Sequence, residues 1–104
     1  MEMIMYEGKC DFADYVKIVY KIENDSLTMT QYTYSKKNLK RLFKQDDCEN
    51  KIILTIDKWF TKKLLNIISE NELKEKFGNQ NGFTSFQDFC EKKKIEMHFS
   101  MAFD

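Results

Sequence analysis

A β-hairpin is predicted by the segment YVKIVYKIENDSLTMTQYTY, which runs from Tyr15 to Tyr34. Asn24-Asp25 suits a tight turn, and folding there pairs Ile22 with Leu27 and Tyr15 with Tyr34. The face that holds the first pair is apolar near the turn and is expected to be buried. The opposite face is amphipathic, and its members are Tyr15, Lys17, Val19, Lys21, Thr28, Thr30, Tyr32 and Tyr34.

Two interpretations of this amphipathic face stay open. Tyrosine, threonine and β-branched residues are common in strands for packing reasons alone. Tyrosine is also enriched at interfaces, because it offers a rigid ring with a polar end. Under the second interpretation the face is open to solvent and binds a partner through Tyr15, Lys17, Tyr32 and Tyr34.

The remaining pattern alternates between strands and helices. Residues 2 to 7 predict a first strand, and Lys36 to Lys44 a helix capped by Ser35. The run Ile52 to Ile56 suits a buried strand or the first turn of the next helix. Asp57, Ser69 and Thr84 can cap later helices, and strict alternation from Ile95 to Phe103 predicts a half-buried final strand.

These elements predict a single domain over residues 1–104 of the α+β class. We expect two layers, with a mainly antiparallel sheet of about four to five strands and three to four helices packed on one face. No repeat, linker or low-complexity tract marks a boundary for a second domain.

The composition favours a globular protein. Its overall charge does not attract it electrostatically to nucleic acid. Asp and Glu balance Lys and Arg at 17 each, so the formal net charge is zero. Arg41 is the only arginine, so the bidentate contacts that read phosphates or guanine edges are scarce. The three cysteines have no disulfide or zinc spacing. With neither a secretory signal nor an apolar membrane span, the expected location is the cytoplasm.

Two groups of cations are candidate binding residues. One arc of the predicted Lys36–Lys44 helix carries Lys36, Lys37, Lys40, Arg41 and Lys44. The arc is either a solvated face or a surface for an acidic protein or a nucleic-acid backbone. In the following helix Trp59 shares an arc with Lys62 and Lys63, away from the apolar stripe. Packing on a neighbouring element is the favoured interpretation of Trp59, and an exposed Trp59 would be an interaction hot spot.

No catalytic or cofactor signature is present, so the chain is expected to be non-catalytic, with no cofactor and no metal. A Cys90/His98 nucleophile pair, or zinc bound by the cysteines and His98, would need distant segments to converge. Gly8, Gly78 and Gly82 are isolated and form no phosphate loop.

The chain is small, has an amino-acid composition of the kind that AT-rich genomes encode, and lacks catalytic motifs. In these respects it resembles small anti-defence proteins of phages and mobile elements, such as anti-CRISPR inhibitors, and also toxin-immunity proteins. The resemblance is one of type, because no motif matches a particular family and no residue is carried over. It implies an inhibitor that occludes a larger protein or nucleoprotein complex.

The alternative function is a single-stranded nucleic-acid-binding module, in which tyrosines stack on bases and lysines hold the backbone. Direct nucleic-acid binding is the less favoured of the two, and no membrane partner is expected. The protein is expected to be a monomer or a homodimer, since a final strand at a sheet edge could pair with a second copy.

Overall fold

One antiparallel sheet of five strands organises the protein. The computed structural model describes residues 1–35 and 50–103. The strands are β1 (Glu2–Gly8), β2 (Tyr15–Glu23), β3 (Ser26–Tyr34), β4 (Asn50–Ile56) and β5 (His98–Phe103). They lie side by side in the order of the chain, and every neighbouring pair is antiparallel. Together with three helices in the described residues, the sheet makes the fold α+β, as predicted.

The β2–β3 hairpin has the predicted turn and register. Asn24 and Asp25 both have positive φ, at 55° and 64°, which is the geometry of the tight turns that match strand twist. Tyr15 lies opposite Tyr34, and Ile22 lies opposite Leu27. The hairpin is therefore specified locally, by a turn that tolerates left-handed backbone and by alternating side chains.

Three helices connect β4 to β5: α1 (Lys58–Ile67), α2 (Glu70–Phe77) and α3 (Gly82–Lys92). Asp57 caps α1 by accepting a hydrogen bond from the Phe60 amide at 2.9 Å. Ser69 and Glu72 form the predicted capping box of α2. The predicted cap at Thr84 is wrong, because α3 already begins at Gly82 and has no side-chain cap.

The main hydrophobic core brings side chains of the strands and of the helices into one cluster. Strands β2, β3 and β4 contribute buried side chains that include Val16, Ile18, Tyr20, Leu27, Met29, Leu54 and Ile56. The helices contribute Leu64, Leu73, Phe77, Phe83, Phe86 and Cys90. Apolar side chains of all three described helices thus share a cluster with apolar side chains of the hairpin.

Gly78 ends α2 where its backbone passes close to β1. A Cβ atom at this position would collide with the carbonyl oxygen of Lys74 and lie 3.1 Å from that of Met5. Only glycine fits this approach, so the predicted helix end is also a contact point between α2 and the first strand.

The predicted helix Lys36–Lys44 lies outside the described residues. So do the binding residues assigned to it, which are Lys36, Lys37, Lys40, Arg41 and Lys44.

Candidate partner-binding surfaces

The amphipathic hairpin face holds the four predicted strand residues together. Tyr15 pairs with Tyr34 and Lys17 pairs with Tyr32, so the four side chains project from one face of β2 and β3. This arrangement follows directly from the hairpin register and was accessible from the sequence.

The interpretation that this face is open to solvent is wrong at Tyr32 and Tyr34. Tyr34 is 2% exposed and Tyr32 is 8% exposed, and they form a second small cluster with the buried Val19. Tyr15 packs against this cluster, its ring meeting that of Tyr34 edge to face at 5.8 Å. The tyrosines therefore pack with one another and with Val19, which is a structural use of aromatic strand residues.

Charged side chains around the tyrosines are paired with opposite charges. Lys17 Nζ lies 3.7 Å from Glu7 Oε2, and Lys21 Nζ lies 3.0 Å from Glu23 Oε2. Burial, and after it the negative charge of Glu7, raises the pKa of Tyr15. The charges of Lys17 and Lys21 are therefore partly balanced by neighbouring carboxylates.

A shallow groove crosses the same face between β1 and β4, with a volume of about 340 Å³. Lys51 forms one side of it and holds its ammonium 5.5 Å from the centre of the Tyr32 ring. The other lining side chains are Glu2, Val19, Lys21, Glu23, Thr28, Thr30, Tyr32 and Ile53. The groove offers hydroxyl groups and charges of both signs, but no exposed aromatic platform.

Trp59 forms a different and open surface at the start of α1. Trp59 is 66% exposed, which is the largest value among the exposed large apolar residues in the described part of the chain. The ring contacts Phe60 edge to face at 4.7 Å, and Lys63 places its ammonium 5.9 Å from both ring centres. The favoured prediction that Trp59 packs on a neighbouring element is therefore wrong. Trp59 has the exposure that the hot-spot alternative requires, and that alternative stays a prediction.

The backbone that carries Trp59 is firmly anchored. Thr61 is 3% exposed, donates a hydrogen bond to the Ile56 carbonyl at 3.1 Å and accepts one from the Leu27 amide at 3.1 Å. Together with the Asp57 cap, these bonds fix the first turn of α1 to the end of the sheet. Trp59 is thus displayed on a rigid element, which lowers the ordering cost of binding.

Three lysines share α1 with Trp59. The helix has no acidic residue in its first turn, while Lys58 and Lys62 are exposed and Lys63 is half-buried. Lys58 Nζ lies 3.7 Å from Asp25 Oδ2 in the hairpin turn, an exposed pair of little energetic weight. Beside them lies a groove of about 560 Å³ lined by Ile22, Asp25, Lys58, Thr61, Lys62, Leu65, Asn66 and Glu70.

The predicted binding residues of the hairpin and those of α1 do not lie on one continuous surface. α1 is anchored at Leu27, which lies seven positions before Tyr34 along β3. In an extended strand this separation is about 23 Å. Trp59, Lys62 and Lys63 are therefore remote from the Tyr15/Tyr34 end of the hairpin.

Strand β5 exposes apolar residues that the sequence pattern assigned to the buried side. Ile95 is buried and Met97 is half-buried, as alternation predicts, but Phe99 is 48% exposed and Met101 is 57% exposed. Because β5 is the last strand in the sheet order, its side chains have a strand neighbour on one side only. The residue pattern of a strand does not reveal such an edge position.

Among the described residues, Cys90 and His98 have opposite surroundings. Cys90 is fully buried in the main core, where burial raises its pKa to about 12, whereas His98 is exposed on β5. A thiol with a raised pKa is the opposite of an activated nucleophile. Within residues 1–35 and 50–103, no three His, Cys, Asp or Glu side chains are grouped as metal ligands would be.

None of the helices described here has the length and apolar character needed to cross a membrane. Comparison with protein-family models, with curated proteins and with solved structures finds no match to this chain.

Proposed function

We propose that this protein is a small, non-catalytic binding protein that inhibits a larger protein or nucleoprotein complex by covering part of its surface. The observation that carries the proposal is the exposure of Trp59 on an anchored helix. Exposed tryptophan on a rigid element is unfavourable in water and is typical of residues that dominate binding energy.

The partner surface is apolar at its centre and acidic around it. Trp59 supplies the apolar anchor, and the ammonium of Lys63 lies 5.9 Å from its ring. Lys58 and Lys62 lie on the same helix, whose first turn has no acidic residue. Acidic groups on the partner would complement these cations and speed association. An inhibitor of the anti-defence type, anti-CRISPR-like or a toxin-immunity protein, fits a binding mode that needs no chemistry of its own.

The architecture supports a structural role for the hairpin tyrosines and a binding role for α1. We place the three helices in one layer on the core side of the sheet, because the main core draws on all of them. The second cluster, around Val19 and Tyr34, is separate from that core and stabilises the opposite face. In this arrangement the hairpin tyrosines serve mainly the fold, and α1 presents the partner-binding residues.

The binding test compares Trp59→Ala with Ile67→Ala. Ile67 is also apolar, lies on the same helix and is 43% exposed, which makes it a matched control. Partners captured by the wild-type protein are identified by mass spectrometry, purified and titrated by calorimetry. We expect Trp59→Ala to weaken binding by at least about 2 kcal/mol, or roughly 30-fold, and Ile67→Ala to leave it nearly unchanged. Equal effects of the two variants would remove Trp59 as the anchor.

The inhibitory role is tested in cells. Co-expression with CRISPR–Cas, restriction or toxin systems is followed by phage plaquing or by cell growth. We expect the wild-type protein to suppress one such system and Trp59→Ala to lose the effect at equal protein level. An effect that persists in Trp59→Ala would contradict occlusion through this surface.

The alternative, single-stranded nucleic-acid binding, is weakened by the burial of Tyr32 and Tyr34, because buried rings cannot stack on bases. Titration of single-stranded DNA and RNA at low salt separates the two functions. We expect no saturable binding, and tight binding that weakens steeply with salt would favour the alternative.

A further inference from the structure

The two edges of the sheet differ in how well they are protected against pairing with another strand. Edge strands expose unpaired backbone groups, and proteins usually block them with charges, bulges or covering segments. β1 has several of these devices: Glu2 and Glu7 near its ends, and a register shift between Ile4 and Tyr6. The ammonium of Lys74 from α2 also donates a hydrogen bond to the Ile4 carbonyl.

β5 has none of these protective features in its described residues. Its sequence HFSMAF contains no Asp, Glu, Lys, Arg or Pro, and its pairing with β4 is regular from His98 to Phe103. His98, Phe99, Ser100 and Met101 are all exposed. No further strand lies beyond β5 in the sheet formed by residues 1–35 and 50–103. The edge is thus regular, uncharged and apolar on one face.

We propose that β5 pairs with β5 of a second copy of this chain, in an antiparallel arrangement about a two-fold axis at Ser100. This pairing joins the two sheets into one continuous ten-stranded sheet. It places Phe99 of each copy opposite Met101 of the other, so that the two exposed apolar side chains cover each other. The inference concerns a different surface from Trp59 and does not rest on the proposed function.

A second copy suits β5 because exposed Phe99 and Met101 meet across a two-fold axis at Ser100 and no like charges on β5 meet there. A two-fold interface places each strand opposite itself, so charges of one sign on β5 would lie close together and repel. β5 carries no formal charge at pH 7, and the whole chain has a formal net charge of zero. Neither the local contact nor the approach of two copies is therefore opposed electrostatically.

The size of the contact sets its strength. An axis at Ser100 pairs five residues of β5 per copy, His98 to Ala102, and this contact is smaller than the ~1,200–2,000 Å² typical of stable complexes. We therefore expect a reversible dimer with a Kd between about 10 μM and 1 mM. Sedimentation velocity across this range should show the average mass rising from 12.5 kDa toward twice that value. A mass that stays monomeric up to about 1 mM would overturn the proposal.

Charge variants test the assignment to β5. Phe99→Lys and Met101→Glu should each raise the Kd at least about tenfold, because each buries a charge against an apolar side chain. Mixing the two variants should restore association, since the introduced ammonium and carboxylate then face each other. Ile67→Lys on α1 is the matched control and should leave the Kd unchanged. The proposed pairing would be contradicted if Ile67→Lys weakened association as much as the β5 variants do, or if mixing the two β5 variants did not restore association.

A cysteine at the two-fold axis tests the register. Ser100→Cys should form a disulfide between copies under mild oxidation, because residues directly opposite in an antiparallel pair lie within bonding reach. Ser85→Cys, exposed on α3, is the control for random cross-linking. Circular dichroism confirms that each variant folds. Equal cross-linking by the two variants would reject the register centred on Ser100.

Discussion

Burial controls the chemistry of individual side chains in this protein. Cys90 and Tyr20 both lie fully buried in the main core. Burial, with a smaller contribution from Glu91, raises the pKa of the Cys90 thiol to about 12. Burial also raises the pKa of Tyr20, and the negative charge of Glu70 adds to this effect. Both groups must therefore stay protonated for the core to remain intact.

Alkaline pH is expected to destabilise the fold through these two groups. An unfolded cysteine loses its proton near pH 9, whereas folded Cys90 holds its proton to about pH 12. Between these values the unfolded state binds fewer protons, so the free energy of unfolding falls as pH rises. Each such group contributes up to roughly a tenfold change in the folding equilibrium per pH unit.

Urea denaturation between pH 7.5 and pH 10.5 measures this effect. We expect Cys90→Ala to have a shallower pH dependence than the wild-type protein, although it is less stable at pH 7.5. Tyr20→Phe should make the free energy of unfolding less dependent on pH only toward the upper end of this range. Unchanged slopes in both variants would show that other groups control the alkaline transition.

Among the elements, the β2–β3 hairpin depends most clearly on local backbone preferences. Its two turn residues occupy the left-handed region, which asparagine and aspartate tolerate and β-branched residues do not. The adjacent Asp25–Lys58 ion pair is exposed on both sides, so its contribution is small. The stability of the turn therefore comes from backbone conformation rather than from charge.

Two substitutions of Asp25 separate conformation from charge. Asp25→Val should destabilise the protein by about 1–2 kcal/mol, because a β-branched residue is strained at φ 64°. Asp25→Asn removes the charge but keeps the tolerance for this conformation, so it should change stability by less than about 0.5 kcal/mol. Chemical denaturation measures both, and a larger loss in Asp25→Asn would identify the ion pair as the important contact.

At the scale of the whole molecule, the sheet carries two separate apolar clusters. The larger one joins the strands to all three described helices. The smaller one consists of Val19, Tyr32 and Tyr34, with Tyr15 packed against it. Since alternate residues of a strand point to opposite faces, the hairpin contributes to both clusters at once. Outside both clusters, α1 and the β5 edge each carry exposed apolar side chains, among them Trp59, Phe99 and Met101.

The smaller cluster is expected to contribute measurably to folding. Tyr34 is 2% exposed, so Tyr34→Ala should destabilise the protein by about 3 kcal/mol. Tyr15 is only half-buried, and Tyr15→Ala should cost about 1 kcal/mol. Thermal and chemical unfolding compare the two variants. A Tyr34→Ala protein as stable as wild type would show that this ring does not support the fold.

The sequence by itself determined the local structure of the hairpin turn and register and of the caps at Asp57 and Ser69. These features depend on neighbouring residues, whose spacing and conformational preferences can be read directly along the chain. Only the tertiary structure decided which apolar side chains are covered. Exposure depends on what packs against each face, so Tyr34 is buried while Trp59 and Met101 are exposed, although all three belong to patterned elements.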